Sequence, residues 1–321
     1  MSLAENGRVV VITGASSGIG RATAYAFAER GDHLVLAARR AERLEELARE
    51  CEGMGVHALA VPTDTTDEDQ VRHLAGQALE HFGRIDVWFN NAGVGVFGRF
   101  EDIPPEAWRR VIETNLFGYV HGARAAMPVF RRQGHGVLIQ NASIVGRIAK
   151  PDSTAYATSK FAVRGLSEAL RQEVLDQPGI QICTILPSVI DTPFFQHAAN
   201  YSHRRVRAAP PVYTPEKVAQ AVLRLVDNPR AETPIGGFAW FGTLMKRLAP
   251  APVATRLTGR ALHAGFLARE ASPDTDGALF TPMVDEARVR GGWRHGPNNG
   301  GVPLAAFGLL AAVLILRRMS R

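Results

Sequence analysis

Val9-Val10-Val11-Ile12-Thr13-Gly14-Ala15-Ser16-Ser17-Gly18-Ile19-Gly20 is the stretch from which the fold is read. The β-branched run from Arg8 to Thr13 suits a strand buried on both faces, as in a parallel sheet. It runs directly into a glycine-rich turn, and residues 21–30 then read as an alanine-rich helix ended by Gly31. Strand, glycine turn and helix in this order make a nucleotide cradle. The glycines let the backbone approach a pyrophosphate, and the helix N-terminus supplies N–H donors and a positive dipole end. The spacing is G-x-x-x-G-x-G rather than G-x-G-x-x-G, so a purely structural glycine turn competes with this reading. Gly14, Ser16, Ser17, Gly18, Ile19 and Gly20 are the candidate contacts.

The second strand, residues 33–38, ends in Arg39 and Arg40. In a dinucleotide site the residue that meets the adenosine ribose lies about 20 residues past the glycines. An acidic side chain there selects a free 2′-hydroxyl, whereas arginines suit a 2′-phosphate. The expected cofactor is therefore NADP(H); the alternative is that both arginines merely open the helix at residues 41–51. A third strand over 56–61 and a helix over 67–82 follow. Asp64, at the carboxyl end of that strand, is either an adenine contact or an ordinary loop aspartate. A fourth strand over 85–89 ends in Asn90-Asn91-Ala92-Gly93, small and amide residues suited to close packing on a cofactor.

The middle of the chain carries the chemistry. Residues 104–130 read as one long helix with Asn115 inside it, an unfavourable place for asparagine. A strand over 136–143 brings Ser143 to its carboxyl end. Tyr156 and Lys160 lie four apart on the helix that starts near Ser153, and so share one face. A neighbouring ammonium is expected to pull the phenol pKa down toward neutrality. A phenol tuned in this way gives a proton to a carbonyl oxygen or takes one from an alcohol.

Together, TGASSGIG at 13–20, NNAG at 90–93, Asn115, Ser143, and Tyr156 with Lys160 resemble the short-chain dehydrogenase/reductase family in order and spacing. Ser143 and Tyr156 stand thirteen residues apart. The resemblance covers roughly Arg8 to Pro229. It implies an α/β fold: a Rossmann-like doubly wound parallel sheet in a single domain. It implies NADP(H)-dependent interconversion of a carbonyl and an alcohol, with Tyr156 as general acid/base. By the same resemblance Lys160 tunes the tyrosine and holds the nicotinamide ribose, Ser143 orients the substrate oxygen, and Asn115 holds a water behind Lys160. Arg39, Asp64, Asn91, Ala92, Gly93 and the glycine loop would contact the cofactor, Ile190 its carboxamide through the backbone, and Thr192 through its hydroxyl. Ser188 stands where the family usually has glycine. The family also leads us to expect a homo-oligomer.

Residues 194–211 are the expected substrate lid. Phe194, Phe195, His197 and Tyr201 would wall an apolar pocket with Val94, Val96, Phe97 and Ile144, which suggests a lipophilic ketone, aldehyde or alcohol. The competing functions are an NADP(H)-binding sensor or scaffold at a membrane, without turnover, and epimerisation or dehydration on the same cofactor.

Composition bounds these readings. The chain has 321 residues, 46% of them hydrophobic, and 37 basic against 31 acidic residues give a net charge of +6. The basic residues are dispersed, with no interleaved basic-aromatic stretch, so no nucleic-acid partner is expected. Two cysteines without ligand-like neighbours suggest neither a metal site nor a disulfide framework, and fit a cytoplasmic catalytic domain. Residues 1–8 have no apolar core and do not read as a signal peptide.

The expected organisation is a catalytic domain over 1–241, a helical extension over 242–290, a Gly/Asn/Pro linker over 291–301 and a candidate membrane-anchoring helix over 302–318. The extension is expected because basic and apolar residues alternate at helical spacing from 244 to 269. The anchor rests on the fifteen uncharged residues 302–316. As a helix they rise about 22 Å, near a ~30 Å hydrocarbon core once the flanking glycines and arginines are included. Docking on a partner is the alternative.

Overall fold

All five residues of β1 (Val9–Thr13) are buried, because alternate side chains feed two different cores. Val10 and Ile12 face a layer containing Phe27, Leu44, Leu47 and Val222, whereas Val9 and Val11 face a layer containing Leu74, Ala126 and Phe130. Such a strand reads as a continuous apolar run because helices cover both sheet faces. The computed structural model describes residues 7–237, 263–283 and 288–294.

The other strands of the sheet are β2 (His33–Ala38), β3 (Ala58–Pro62), β4 (Val87–Asn90), β5 (Gly136–Asn141), β6 (Ile180–Pro187) and β7 (Glu232–Ile235). Their spatial order is β7-β6-β5-β4-β1-β2-β3, and every pairing is parallel. The chain turns outward in opposite directions from β1, so the crevice beyond the carboxyl ends of β1 and β4 lies at a topological switch point. Helices α1 (Gly18–Glu29), α2 (Ala41–Glu52), α3 (Glu68–Phe82), α4 (Pro105–Ile112), α5 (Gly118–Gln133), α6 (Thr154–Gln172) and α7 (Pro215–Asp227) flank the sheet. The doubly wound α/β fold is as expected.

Three local expectations change. The long helix expected over 104–130 is interrupted by a π-helical turn, Glu113–Phe117, with Asn115 in its middle. The seventh strand, expected to reach residue 241, spans Glu232–Ile235. The helical spacing of 244–269 does not hold where it is described: after one turn at 263–266, Leu267–Ala271 is a strand paired antiparallel with Arg204–Val206. The partner strand decides this, since pairing buries Phe266 and Leu267 against Phe97, Phe195 and Val206.

Residues 291–294, expected to begin a linker, dock on the domain. The Trp293 amide donates to Asp191 Oδ1 at 2.7 Å, its indole N–H to the Thr192 carbonyl at 3.1 Å, and its ring packs edge-on against Phe195. Among the described residues no helix is long and apolar enough to cross a membrane. The candidate anchor at 302–318 lies outside the described residues, as do most of the linker and residues 242–262 of the extension.

Candidate active site

The glycine turn closes around two backbones. A side chain on Gly20 would put its Cβ 2.2 Å from the Gly14 carbonyl oxygen, and one on Gly14 would meet Ala92 Cα at 2.8 Å. Gly14 also has φ +66°, a left-handed conformation that glycine adopts at little cost. The tip of β4 holds the turn from below. Asn91 Nδ2 donates to the Thr13 carbonyl at 2.9 Å, and the Asn91 and Ala92 amides donate to Thr13 Oγ1 at 2.9 and 3.1 Å. Asn141 at the end of β5 donates to Asn91 Oδ1. Three strand ends are thereby locked beneath one cavity of about 510 Å³.

Gly14, Ser16, Ser17, Gly18 and Ile19 line that cavity, with Arg39, Arg40, Asp64, Asn91, Ala92, Gly93, Ser143, Tyr156, Lys160, Ile190 and Thr192. Gly20 and Asn115 do not reach it and act behind the wall. At one end of the cavity stand the Arg39 and Arg40 guanidinium groups, with Arg110 paired to Asp64 behind them. Arg40 donates to Ser16 Oγ at 3.1 Å. Arg39 donates to the carbonyls of Ala278, Leu279 and Phe280 at 2.5–3.2 Å. Arg110 bridges to Asp64 Oδ2 at 2.8 Å, and Thr66 donates to the other Asp64 oxygen. Asp64 is therefore held as an ion pair. The residues fit a dinucleotide: a glycine-rich loop at a helix N-terminus where Gly14 and Gly20 leave no room for a Cβ, positive charge at one end, and Tyr156 with Lys160 at the other.

Lys160 Nζ donates to the Asn141 carbonyl at 2.7 Å and to Tyr119 Oη at 3.3 Å, and lies 5.6 Å from the centre of the Tyr156 ring. Burial lowers the Lys160 pKa to about 7. Tyr156 is half-buried, and desolvation of its phenol raises its pKa to about 12 against the opposing effect of Ser143. This reverses the expected lowering. Desolvation penalises the phenolate more than a lysine that is itself desolvated can stabilise it. Tyr156 therefore stands as a neutral phenol.

Asn115 explains the π turn. Its Oδ1 accepts from the Val94 amide at 2.8 Å and its Nδ2 donates to the Val94 carbonyl at 2.9 Å and to Ser159 Oγ at 3.2 Å. The side chain clamps the loop after β4 against α6, and the irregular turn aims it there. The Tyr119 ring and hydroxyl, missed in the sequence, form the floor under Lys160.

At the substrate end, Val94, Phe97, Ile144, Phe194, Phe195 and His197 line the cavity as expected, joined by Phe266 and Lys150. Tyr201 and Val96 do not line it. Tyr201 Oη instead bonds Asp276, and both residues pack in a separate cluster with Ile103 and Ala107. Lys150 carried no sequence signal, since a single lysine in a loop reads as solvated. Two C-terminal stretches also border the groove. Ala278, Pro282 and Met283 line it, and the Arg288 carbonyl accepts from the Gly18 amide at 2.9 Å.

The short-chain dehydrogenase family model matches residues 8–202. An uncharacterised oxidoreductase of Bacillus subtilis, YxnA, is 36% identical over 281 residues, covering 85% of this chain and 78% of its own length. An alcohol dehydrogenase of the archaeon Thermococcus sibiricus, solved with 5-hydroxy-NADP, superposes with a TM-score of 0.62 at 31% identity. The match covers 71% of this chain and 95% of that one. A family structure from Burkholderia phymatum in complex with NAD reaches 0.68 at 27% identity, covering 79% and 96%. The parallel seven-stranded sheet agrees with these likenesses: the chain belongs to the short-chain dehydrogenase/reductase family of oxidoreductases.

Proposed function

We propose that the protein is an NADP(H)-dependent reductase of lipophilic carbonyl compounds, with Tyr156 as the proton donor. The observation that carries this reading is the Tyr156 phenol, half-buried beside Ser143 and Lys160 where the cavity is walled by Phe194 and Phe195. Bound there, the dinucleotide supplies the hydride. Ser143 orients and polarises the substrate oxygen, and the neutral Tyr156 phenol gives it a proton. Lys160, fixed by Asn141 and Tyr119, supports the phenol from behind, with Asn115 holding the neighbouring backbone. The phenyl rings of Phe194 and Phe195 exclude water from the reacting carbon.

The preference for the 2′-phosphate rests on charge. Arg39 and Arg40 line the adenosine end with one carboxylate, Asp64, and that carboxylate is already paired with Arg110. Arg40 is the leading reader because it lies on the glycine loop at Ser16, while Arg39 is engaged by backbone carbonyls. We further infer a homo-oligomer. Phe117 and Phe161, on the π turn and on α6, are 50% and 38% exposed on the helices that carry Asn115 and Tyr156.

The test is titration of the full chain with NADPH and NADH, followed by turnover against ketones and aldehydes of graded lipophilicity. Tight NADPH binding with substrate-dependent oxidation is expected. Tight binding with no turnover, and none with alcohols and NADP, would replace the reductase by a cofactor-binding sensor.

A further inference from the structure

The substrate end of the cavity holds a cation that the proton transfer does not use. Lys150 sits on the loop between Ser143 and α6, lines the cavity and is only 6% exposed. Its ammonium offers three donors, yet among the described residues Nζ has no hydrogen-bond partner. Two ring faces flank it: Phe97, with its centre 4.2 Å away, and Phe266, at 4.5 Å. Ring faces stabilise the charge without accepting its hydrogen bonds. The carboxylate of Asp152 is hydrogen-bonded to His263 and acts on Lys150 only through its charge, which opposes the effect of burial. Burial accordingly draws the Lys150 pKa down to about 7. A buried, unpartnered ammonium donor is unfavourable unless something arrives to meet it.

The rings between Lys150 and the reacting centre describe that visitor. Tyr156 stands 5.4 Å from Phe194, Phe194 stands 5.4 Å from Phe195, and Phe195 stands 5.9 Å from Phe266. A molecule with its carbonyl at Tyr156 would cross this aromatic wall before reaching Nζ. The geometry points to Lys150 as a specificity-determining anion site: the substrate is an oxo acid whose carboxylate, remote from the reacting carbon across an apolar body, is received by Lys150 Nζ. The inference rests on the reductase reading for which carbon reacts, but the anion site is tested without turnover. One lysine, with no second lysine or arginine beside it among the described residues, matches a singly charged carboxylate. The caged amine becomes fully ammonium when the carboxylate is seated, and the pair is strengthened by the absence of water.

The experiment compares ω-oxo carboxylic acids of graded chain length with their methyl esters, by calorimetric titration into the full chain saturated with NADP. The wild type is expected to bind the best acid at least about tenfold more tightly than its ester, as a charge-assisted hydrogen bond contributes. In Lys150→Met the ratio of acid to ester affinity should fall to near one. In Lys150→Arg, which keeps a cation, part of the preference should return. Equal affinities in the wild type, no binding of either compound, or an acid preference that survives in Lys150→Met would each overturn the assignment. Parallel assays of NADPH oxidation keep the two readings apart. Acid preference without reduction of any oxo compound would leave the anion site standing and remove the reductase. Reduction without acid preference would do the reverse.

Discussion

Lys150→Met should make the protein more stable, by an amount that depends on pH. The folded protein lowers the Lys150 pKa from the ordinary 10.5 to about 7 because the side chain is buried without a partner. Each pKa unit corresponds to about 1.36 kcal/mol, so housing this lysine costs at most about 4–5 kcal/mol at neutral pH. Relaxation of the loop takes up some of that, and a gain of about 2–4 kcal/mol is expected for the isosteric apolar side chain. The sign follows from proton counting. Between about pH 7 and 10.5 the unfolded chain keeps the proton and the folded chain has released it, so wild-type stability rises with pH through this window. Below about pH 7 both states carry the proton and the penalty is complete. The advantage of Lys150→Met should thus be largest near neutrality and fade as the pH approaches about 10. Lys160 titrates similarly but is present in both proteins, so the difference isolates Lys150. Urea unfolding of both proteins across that range reads the effect. No gain at neutral pH, or a gain that does not shrink as pH rises, would refute the claim that an uncompensated buried cation sits there.

Tyr156→Phe should lower kcat by on the order of 10²–10⁴ while the dissociation constant for NADPH stays within about twofold, because it removes a proton donor at the substrate end; unchanged turnover would sink the mechanism. Arg40→Asp should weaken NADPH by on the order of tenfold or more and spare NADH, and Arg39→Asp should do so less, since Arg39 is tied to residues 278–280; fluorescence titration with both cofactors decides, and equal loss for both cofactors means neither arginine reads the phosphate. Asn115→Ala leaves the amide and carbonyl of Val94 without their partners, so a loss of about 2–4 kcal/mol in denaturant unfolding is expected. Trp293→Ala removes the indole bonds to the Thr192 carbonyl and Gln196 Oε1 and the edge contact with Phe195 and should speed cofactor release in stopped-flow measurements; an unchanged rate would mean these contacts do not hold the groove shut.

What the sequence determined by itself is what adjacent residues decide. Continuous apolar runs specify strands covered on both faces, as at Val9–Thr13. Glycines at 14 and 20 specify a turn in which two backbones meet. The four-residue spacing of Tyr156 and Lys160 puts them on one helix face, and Ser143 falls at a strand end where ligands gather. All of this is local periodicity and turn chemistry, so it was legible in order along the chain.

What only tertiary structure decided depends on contacts between distant residues. Arg39 is engaged by carbonyls some 240 positions away, and no local pattern announces that. Leu267–Ala271 is a strand because Arg204–Val206 lies beside it, although its own spacing favours a helix. The Tyr156 phenol is driven up in pKa, not down, because burial is a property of the assembled core and outweighs the neighbour one turn away. Lys150 belongs to the same class. In the sequence it is an unremarked loop cation, and only the closing of Phe97 and Phe266 around it turns it into a buried charge. Local sequence sets backbone geometry; desolvation, which sets the chemistry of the site, exists only once the chain has folded.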